Sequence, residues 1–192
     1  WTTGATPPGT TRAIGVDDAG NLYAQHQKST DGGGTWTTIL PSTAVGTQAA
    51  DGYLWYWDSG DKYLYRANLD GSSQTQLTAL GTIIPSAHIN PIADISTFPC
   101  THRLYVFSAR FDDPTIYVVD ITDPLAPSIV GVDLSPGDNW VIWATPITPL
   151  VGVAIAFKED DPQGSGYGAI HKTTDGGLGW VLKAADNRIA GE

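Results

Sequence analysis

The feature of this sequence that most constrains its fold is an eight-residue segment that occurs twice. The copies are residues 29–36, STDGGGTW, and residues 173–180, TTDGGLGW. The aspartate can accept N–H groups of its own turn, the glycines supply positive φ angles, and the tryptophan can anchor the next strand in a core. We therefore predict one strand–turn–strand unit at each place. The predicted structural residues are Ser29, Asp31, Gly33, Trp36, Thr173, Asp175, Gly177 and Trp180.

This repeated segment resembles the Asp-box, or BNR repeat, of sialidase-like β-propellers. The second copy departs from the pattern at Gly179, where the first has Thr35. In that family the box forms the turn between the two outer strands of a propeller blade and has a structural role. The resemblance thus implies a β-propeller and assigns no catalytic residue.

Two further segments between the boxes resemble other propeller repeats. Residues 54–72, with Tyr56-Trp57-Asp58, resemble a YWTD repeat, and residues 116–127 resemble an LVIVD repeat. The turn aspartates Asp31, Asp70, Asp123 and Asp175 are separated by steps of 39, 53 and 52 residues. Such a step fits one four-stranded blade.

Composition supports an all-β chain of 192 residues. Glycine, threonine, valine and aromatic residues are plentiful, whereas glutamate occurs only at Glu159 and Glu192. We predict one β-propeller domain, residues 1–192, of four blades with four antiparallel strands each. The blades are expected at about 1–44, 45–82, 83–135 and 136–186; the alternative is a fragment of a larger propeller.

The predicted strands follow this division. In the first blade, 12–16 and 21–28 form a hairpin before the box, and 35–40 follows it; residues 1–4 or a neighbouring segment would supply the inner strand. The second blade has 47–50, 53–57, 63–68 and 75–80. The third has 92–96, 103–109, 115–120 and 128–132. The fourth has 140–145, 151–158, 168–172 and 180–184.

Acidic residues lie at the turn that the prediction places in the middle of each blade. We expect these turns to share the face opposite the boxes. The residues are Asp17, Asp18, Asp58, Asp61, Asp112, Asp113, Glu159, Asp160 and Asp161. Such a face could bind a cation, a basic partner or sugar hydroxyls. The alternative is that hairpin turns favour aspartate for local reasons.

Trp57 directly precedes one of these acidic turns. An aromatic ring beside carboxylates could be a platform for a sugar, so Trp57 joins the candidate ligand-binding residues. Packing between blades is the competing interpretation. No cofactor is required by this reading, Ca²⁺ is a candidate ion, and the four histidines show no metal-ligand spacing.

The sequence excludes some functions and leaves others open. A net charge of −10 argues against nucleic-acid and anionic-membrane partners, and the longest apolar run is too short to span a bilayer. We predict a non-catalytic recognition or structural module of a secreted, cell-surface or virion protein, with a protein or glycan partner. A further hypothesis is that the chain decorates a larger assembly. The alternative is a sialidase-like glycoside hydrolase, although the family's arginine cluster and Tyr–Glu pair have no clear counterpart.

Overall fold

The computed structural model describes residues 15–78, 93–97, 102–108, 115–133, 140–148, 150–159 and 166–186. Within these ranges the structure contains sixteen β-strands. They form four antiparallel sheets of four strands, and in each sheet the strands neighbour one another in chain order. Each sheet is therefore a meander, whose first and third turns lie at one end and whose middle turn lies at the other.

The first two sheets belong to one compact unit, Trp1–Ala87. Sheet I has the strands β1 Gly15–Val16, β2 Leu22–Ala24, β3 Gln27–Ser29 and β4 Thr37–Thr38. Sheet II has the strands β5 Ala44–Ala50, β6 Tyr53–Asp58, β7 Leu64–Asn68 and β8 Thr75–Gln76.

The other two sheets belong to a second compact unit, His88–Glu192. Sheet III has the strands β9 Ala93–Thr97, β10 Arg103–Ser108, β11 Thr115–Asp120 and β12 Ser128–Asp133. Sheet IV has the strands β13 Trp140–Pro146, β14 Gly152–Glu159, β15 Gly166–Thr173 and β16 Val181–Asp186. Sheets II, III and IV thus have strands within four residues of the predicted bounds.

In sheet I the structure corrects the prediction of a single strand over residues 21–28. That segment forms two strands, because the chain reverses between Ala24 and Gln27, which pair across the turn. Gln25 takes a positive φ of 49°, a conformation that ends a strand locally. Sheet I is consequently complete without residues 1–4, which lie outside the described residues.

Each unit has its own apolar core between its two sheets. In the first unit, alternating residues of β6 face sheet I; the buried cluster consists of Tyr23, Leu40, Ala44, Leu54, Tyr56 and Ala67. The second cluster consists of Tyr105, Ile116, Val118, Ala144, Ala154, Ala156 and Ala169, with Trp180 packed against it. Small alanines of sheet IV leave room there for the large rings of Tyr105 and Trp180.

Strand β6 is buried along its whole centre. All four residues from Leu54 to Trp57 are 0% exposed. A strand that is covered on both faces needs an apolar run without alternation, and the sequence here supplies one. No helix among the described residues is long and apolar enough to cross a membrane.

Candidate functional site

The middle turn of sheet II carries Asp58 and Asp61, as the sequence predicted. Asp58 ends β6, and the turn returns the chain to β7 at Leu64. Lys62 in this turn has a positive φ of 72°, and its amide nitrogen donates to the Asp58 carbonyl oxygen over 2.9 Å. The carboxylates therefore sit on a tight, hydrogen-bonded loop.

Both carboxylate oxygens of Asp58 accept hydrogen bonds. The Thr43 hydroxyl donates to Oδ2 over 2.6 Å. The backbone amides of Gly60 and Asp61 donate to Oδ1 over 2.7 and 3.3 Å. This carboxylate joins the β6–β7 turn to the segment that leads into β5, which is a structural role.

Asp61 is exposed and links its turn to the outer strands of sheet II. The Tyr65 hydroxyl and the Gln76 side-chain amide donate to its Oδ2 over 2.5 and 2.8 Å. The Tyr63 backbone amide donates to Oδ1 over 3.1 Å. The hydrogen bond to Asp61 raises the pKa of Tyr65 to about 12, so this phenol stays a donor at neutral pH. Asp61, Tyr65 and Gln76 form a fixed polar group at the surface.

Trp57 does not offer a ring to a ligand in this structure. Its side chain is 0% exposed, and the Lys62 ammonium lies 5.1 Å from the ring centroid. The Lys62 ammonium also donates to the Ser59 carbonyl oxygen over 2.5 Å. The burial of Trp57 favours the interpretation that its ring serves packing over the interpretation that it is a sugar platform.

Asp17 and Asp18 lie at a different turn from the one predicted. Because residues 21–28 form two strands, these aspartates occupy the β1–β2 turn, at the same end of sheet I as the box between β3 and β4. The prediction that they share the middle-turn end of their blade is wrong.

Asp17 is a turn-forming residue. Its Oδ1 accepts the amides of Ala19 and Asn21, and its Oδ2 accepts the Asn21 side chain and the Tyr23 hydroxyl. Partial burial raises the pKa of Asp17, but these hydrogen bonds outweigh it and the net shift is downward. Burial, followed by the bond to Asp17, raises the pKa of Tyr23.

Of the remaining predicted acids, only Glu159 lies among the residues that the structure describes. Asp112, Asp113, Asp160 and Asp161 lie outside the described residues. Glu159 is the last residue of β14. Ligand binding by these residues stays a prediction.

The first box has the geometry that its residue types predict. The Ser29 hydroxyl donates to Asp31 Oδ1 over 2.8 Å and accepts the Gly33 amide over 2.8 Å. Thr35 donates to Asp31 twice over 2.8 Å, from its amide to Oδ1 and from its hydroxyl to Oδ2. The backbone bond from Thr35 is the first cause that lowers the pKa of Asp31 to about 2. Gly33, with a φ of 94°, takes a conformation that favours glycine.

The second box repeats these contacts with one loss. The Thr173 hydroxyl donates to Asp175 Oδ1 over 2.7 Å and accepts the Gly177 amide over 2.9 Å. The Gly179 amide donates to Asp175 Oδ1 over 2.9 Å, but glycine has no hydroxyl for Oδ2. The Trp180 indole donates to the Gly177 carbonyl oxygen over 3.0 Å. The bond from Thr173 is the main cause that lowers the pKa of Asp175.

The second box also packs against sheet III. A Cβ added to Gly177 would lie 3.0 Å from both Tyr105 and Val118. The Trp180 ring meets the Tyr105 ring edge to face, with centroids 5.8 Å apart. Glycine at this position therefore permits the close approach of the loop to the neighbouring sheet.

Arg103, on β10, reaches the same loop. Its guanidinium donates to the Gly176 carbonyl oxygen over 2.9 Å and to that of Asp175 over 3.4 Å. The box thus joins two sheets as well as two strands. The sequence revealed the box but not these partners, which lie 72 and 73 residues away along the chain.

The pKa values of the carboxyl groups bear on whether any of them could act as a general acid. Five described carboxyl groups have a lowered pKa: Asp17, Asp31, Asp70, Asp120 and Asp175. A general acid at neutral pH needs a raised pKa, so none of these five suits that role. Among the described residues there is also no group of three or more His, Cys, Asp or Glu side chains that could hold a metal ion.

Sequence comparisons find no match, whereas structural comparisons find similar folds. No protein-family model and no curated protein sequence matches the chain. The GH74 xyloglucanase from Xanthomonas campestris is similar with a TM-score of 0.61 and 14% identity, over 89% of this chain and 29% of that one. PorZ, a surface component of the type-IX secretion system of Porphyromonas gingivalis, is similar with a TM-score of 0.50 and 12% identity, over 92% and 22%.

Both similar proteins contain β-propellers. At these identities the likeness bears on fold alone. The chain is therefore all-β, with four propeller-like antiparallel sheets. It spans less than a third of the length of either similar protein.

Proposed function

We propose that this chain is a non-catalytic recognition or structural module, built as a four-bladed β-propeller or as part of a larger one. The observation that supports this proposal is that hydrogen bonds hold several of its aspartates in the local structure. Asp17, Asp31, Asp58 and Asp61 each accept hydrogen bonds on both carboxylate oxygens, from turns, strands or box residues. Side chains held in this way stabilise loops and leave a rigid surface for a partner.

Carboxylates with these partners are poor candidates for hydrolysis. A glycoside hydrolase of the usual type needs one carboxyl group with a raised pKa and a second carboxylate a defined distance away. With their lowered pKa values, Asp17, Asp31 and Asp175 stay ionised at neutral pH. None of these three therefore suits the general acid of the sialidase-like alternative, which would need another acid of the chain, such as Asp112 or Asp160.

The partner in this proposal is a protein or a glycan. The Asp61–Tyr65–Gln76 group, in which Asp61 is exposed and Tyr65 and Gln76 are half-buried, offers fixed donors and acceptors of the kind that bind sugar hydroxyls or a polar protein surface. An extracellular or surface setting agrees with the description of PorZ as a bacterial surface component. A net charge of −10 disfavours nucleic acid as the partner.

Glycan arrays and aryl-glycoside assays of the same preparation test binding against hydrolysis. We expect binding without turnover, and binding that weakens about tenfold in Asp61→Asn, which removes a charged acceptor. The matched control is Asp51→Asn, at an exposed position in the β5–β6 turn, the opposite end of the same sheet. Turnover that is lost when an acidic pair is mutated would establish a hydrolase and refute the proposal.

No cofactor is needed by the proposed module, and Ca²⁺ is its one candidate ion. At Asp58 and Asp61 a calcium ion would have to displace existing hydrogen bonds. Calorimetric titration with Ca²⁺ should be repeated on the double variant Asp112→Asn, Asp113→Asn. Saturable heat that disappears in this variant would establish a calcium site, whereas no heat at millimolar Ca²⁺ would indicate a module that works without the ion.

A further inference from the structure

The chain contains four Asp–Gly pairs, each in a loop between two strands; the aspartates are Asp31, Asp51, Asp70 and Asp175. Such a pair can rearrange without an enzyme. The glycine nitrogen, which has no Cβ beside it to hinder its approach, attacks the side-chain carboxyl carbon of the aspartic acid. A C–N bond forms, a C–O bond breaks, and water leaves. One water molecule then opens the cyclic imide, and opening on the main-chain side gives isoaspartate, in which the main chain runs through the aspartate side chain.

In two of the pairs, the attacking nitrogen is already hydrogen-bonded. The amides of Gly71 and Gly176 each donate to a backbone carbonyl oxygen over 2.8 Å, and both glycines are buried. For either nitrogen to reach the preceding carboxyl group, a buried hydrogen bond has to break, which is costly. The backbone of these two loops therefore protects Asp70 and Asp175 from the rearrangement.

In the first box, the carboxyl group is held instead. Asp31 Oδ1 accepts the Ser29 hydroxyl and the Thr35 amide, and Oδ2 accepts the Thr35 hydroxyl, each over 2.8 Å. The reaction needs the protonated acid, because its hydroxyl group leaves as water. These bonds, first that from the Thr35 backbone, lower the pKa of Asp31 to about 2, so its protonated fraction at neutral pH is more than about tenfold smaller than that of an ordinary aspartate. The pKa values of Asp70 and Asp175 are lowered too, in each case first by a side-chain hydrogen bond.

The fourth pair, Asp51–Gly52, forms the two-residue turn between β5 and β6. Ala50 and Tyr53 pair across this turn, and both of its residues are exposed. Among the described residues, the Gly52 amide has no hydrogen-bond acceptor. Apart from its chain neighbours, no atom lies within 4 Å of the place that a Cβ on Gly52 would take. The Gly52 nitrogen is therefore available as a nucleophile, and the turn has room to rotate toward the geometry of attack.

We propose that Asp51–Gly52 is a modification site of this chain, at which isoaspartate forms while the other three Asp–Gly pairs stay intact. This inference is independent of the proposed function. Isoaspartate adds a carbon atom to the main chain of a turn that holds Ala50 opposite Tyr53. The modification therefore weakens strand pairing at this end of sheet II, beside the core residue Leu54.

Peptide mapping of the folded wild-type chain tests this proposal after several weeks at about 40 °C and about pH 6, where a small fraction of carboxyl groups is protonated. Fragmentation in the mass spectrometer distinguishes isoaspartate from aspartate, and an L-isoaspartyl methyltransferase with a labelled methyl donor counts the modified sites. We expect isoaspartate to form at Asp51 at least about tenfold faster than at Asp31, Asp70 or Asp175.

The unfolded chain is the matched control, because all four pairs have the same two residues. In concentrated guanidinium chloride we expect the four rates to lie within about threefold of one another, since the protecting hydrogen bonds are lost. The variant Gly52→Ala should slow the reaction at Asp51 about tenfold or more, because its Cβ hinders attack by the nitrogen. A thermal melt checks that this variant is folded.

The comparison within the wild-type chain decides the proposal even if the variant is unstable. A folded chain in which Asp51 reacts no faster than the other three aspartates would overturn it. So would a rate at Asp51 that is unchanged in folded Gly52→Ala, because the product would then not arise through the Gly52 nitrogen.

Discussion

At the scale of single residues, the two boxes form a natural comparison within one chain. Asp31 accepts the Thr35 hydroxyl on Oδ2, whereas Asp175 has Gly179 in the corresponding place. Neither position has a positive φ that would exclude a side chain. The difference between the boxes therefore isolates one side-chain hydrogen bond and the conformational freedom of one glycine.

The variant Gly179→Thr should stabilise the chain, by about 0.5–1.5 kcal/mol. Threonine restores the missing hydrogen bond and reduces the conformational entropy of the unfolded chain. Its Cβ would lie 2.9 Å from Asp175 Oδ2, an atom at the end of a side chain that can rotate, as the Asp31–Thr35 pair shows. Urea denaturation measures the free energy of unfolding. The reciprocal variant Thr35→Gly should destabilise by a similar amount, and equal signs for the two changes would contradict the comparison.

At the scale of elements, the sheets depend on turns that approach a neighbouring backbone closely. Gly71, in the β7–β8 turn, has a φ of 83° and is buried against Ile39, where any Cβ would collide with the Ile39 carbonyl group. Gly52, in the β5–β6 turn, has nearly the same φ of 78° but open space around it. Substitutions at these two glycines can therefore be compared to distinguish the cost of backbone strain from the cost of close packing between sheets.

The variant Gly71→Ala should destabilise by at least about 2 kcal/mol, because a backbone carbonyl cannot move aside as a flexible side chain can. Gly52→Ala is the control and should cost only about 1 kcal/mol, the strain of a positive φ for alanine. Thermal and urea denaturation of both variants measure the difference. Equal losses would show that the contact between Gly71 and Ile39 is not close in solution.

At the scale of the whole molecule, the shifted carboxyl groups determine how stability depends on pH. Five described carboxyl groups, those of Asp17, Asp31, Asp70, Asp120 and Asp175, have folded-state pKa values below the ordinary 3.8, and that of Asp31 is about 2. A group with a lowered pKa in the folded state contributes stability above its unfolded pKa and loses it as pH falls through the folded value. These contributions are therefore complete at neutral pH.

The free energy of unfolding should decline as pH falls from about 4 to about 2. Between pH 7 and 5 it should change little or rise, because protonation reduces the repulsion of a chain with net charge −10. Urea denaturation at intervals from pH 7 to pH 2 checks this profile. Asp31→Asn should be less stable than wild type at pH 7, and the difference should shrink below pH 4. Asp18→Asn, in the neighbouring exposed turn, is the control, and an Asp31→Asn difference that persists at pH 2 would contradict the assignment.

The sequence by itself determined the features that depend on residues close together in the chain. An Asx turn, two glycines and a following strand lie within eight residues, so their chemistry predicts both boxes. Strands such as Thr115–Asp120 were predicted correctly for the same reason: β-branched and aromatic runs bounded by turn residues are a local signal.

Only the tertiary structure decided what depends on distant residues. The reversal at Gln25 divided one predicted strand into two and moved Asp17 and Asp18 to the box end of sheet I. Trp57 has the same alternation as an exposed ring would have, yet its side chain is completely buried. Leu178 and Val181 have the same apolar character as core residues but remain half exposed. Periodicity along a strand shows which side chains share a face, whereas burial depends on what packs against that face, and that is a property of residues far away in the chain.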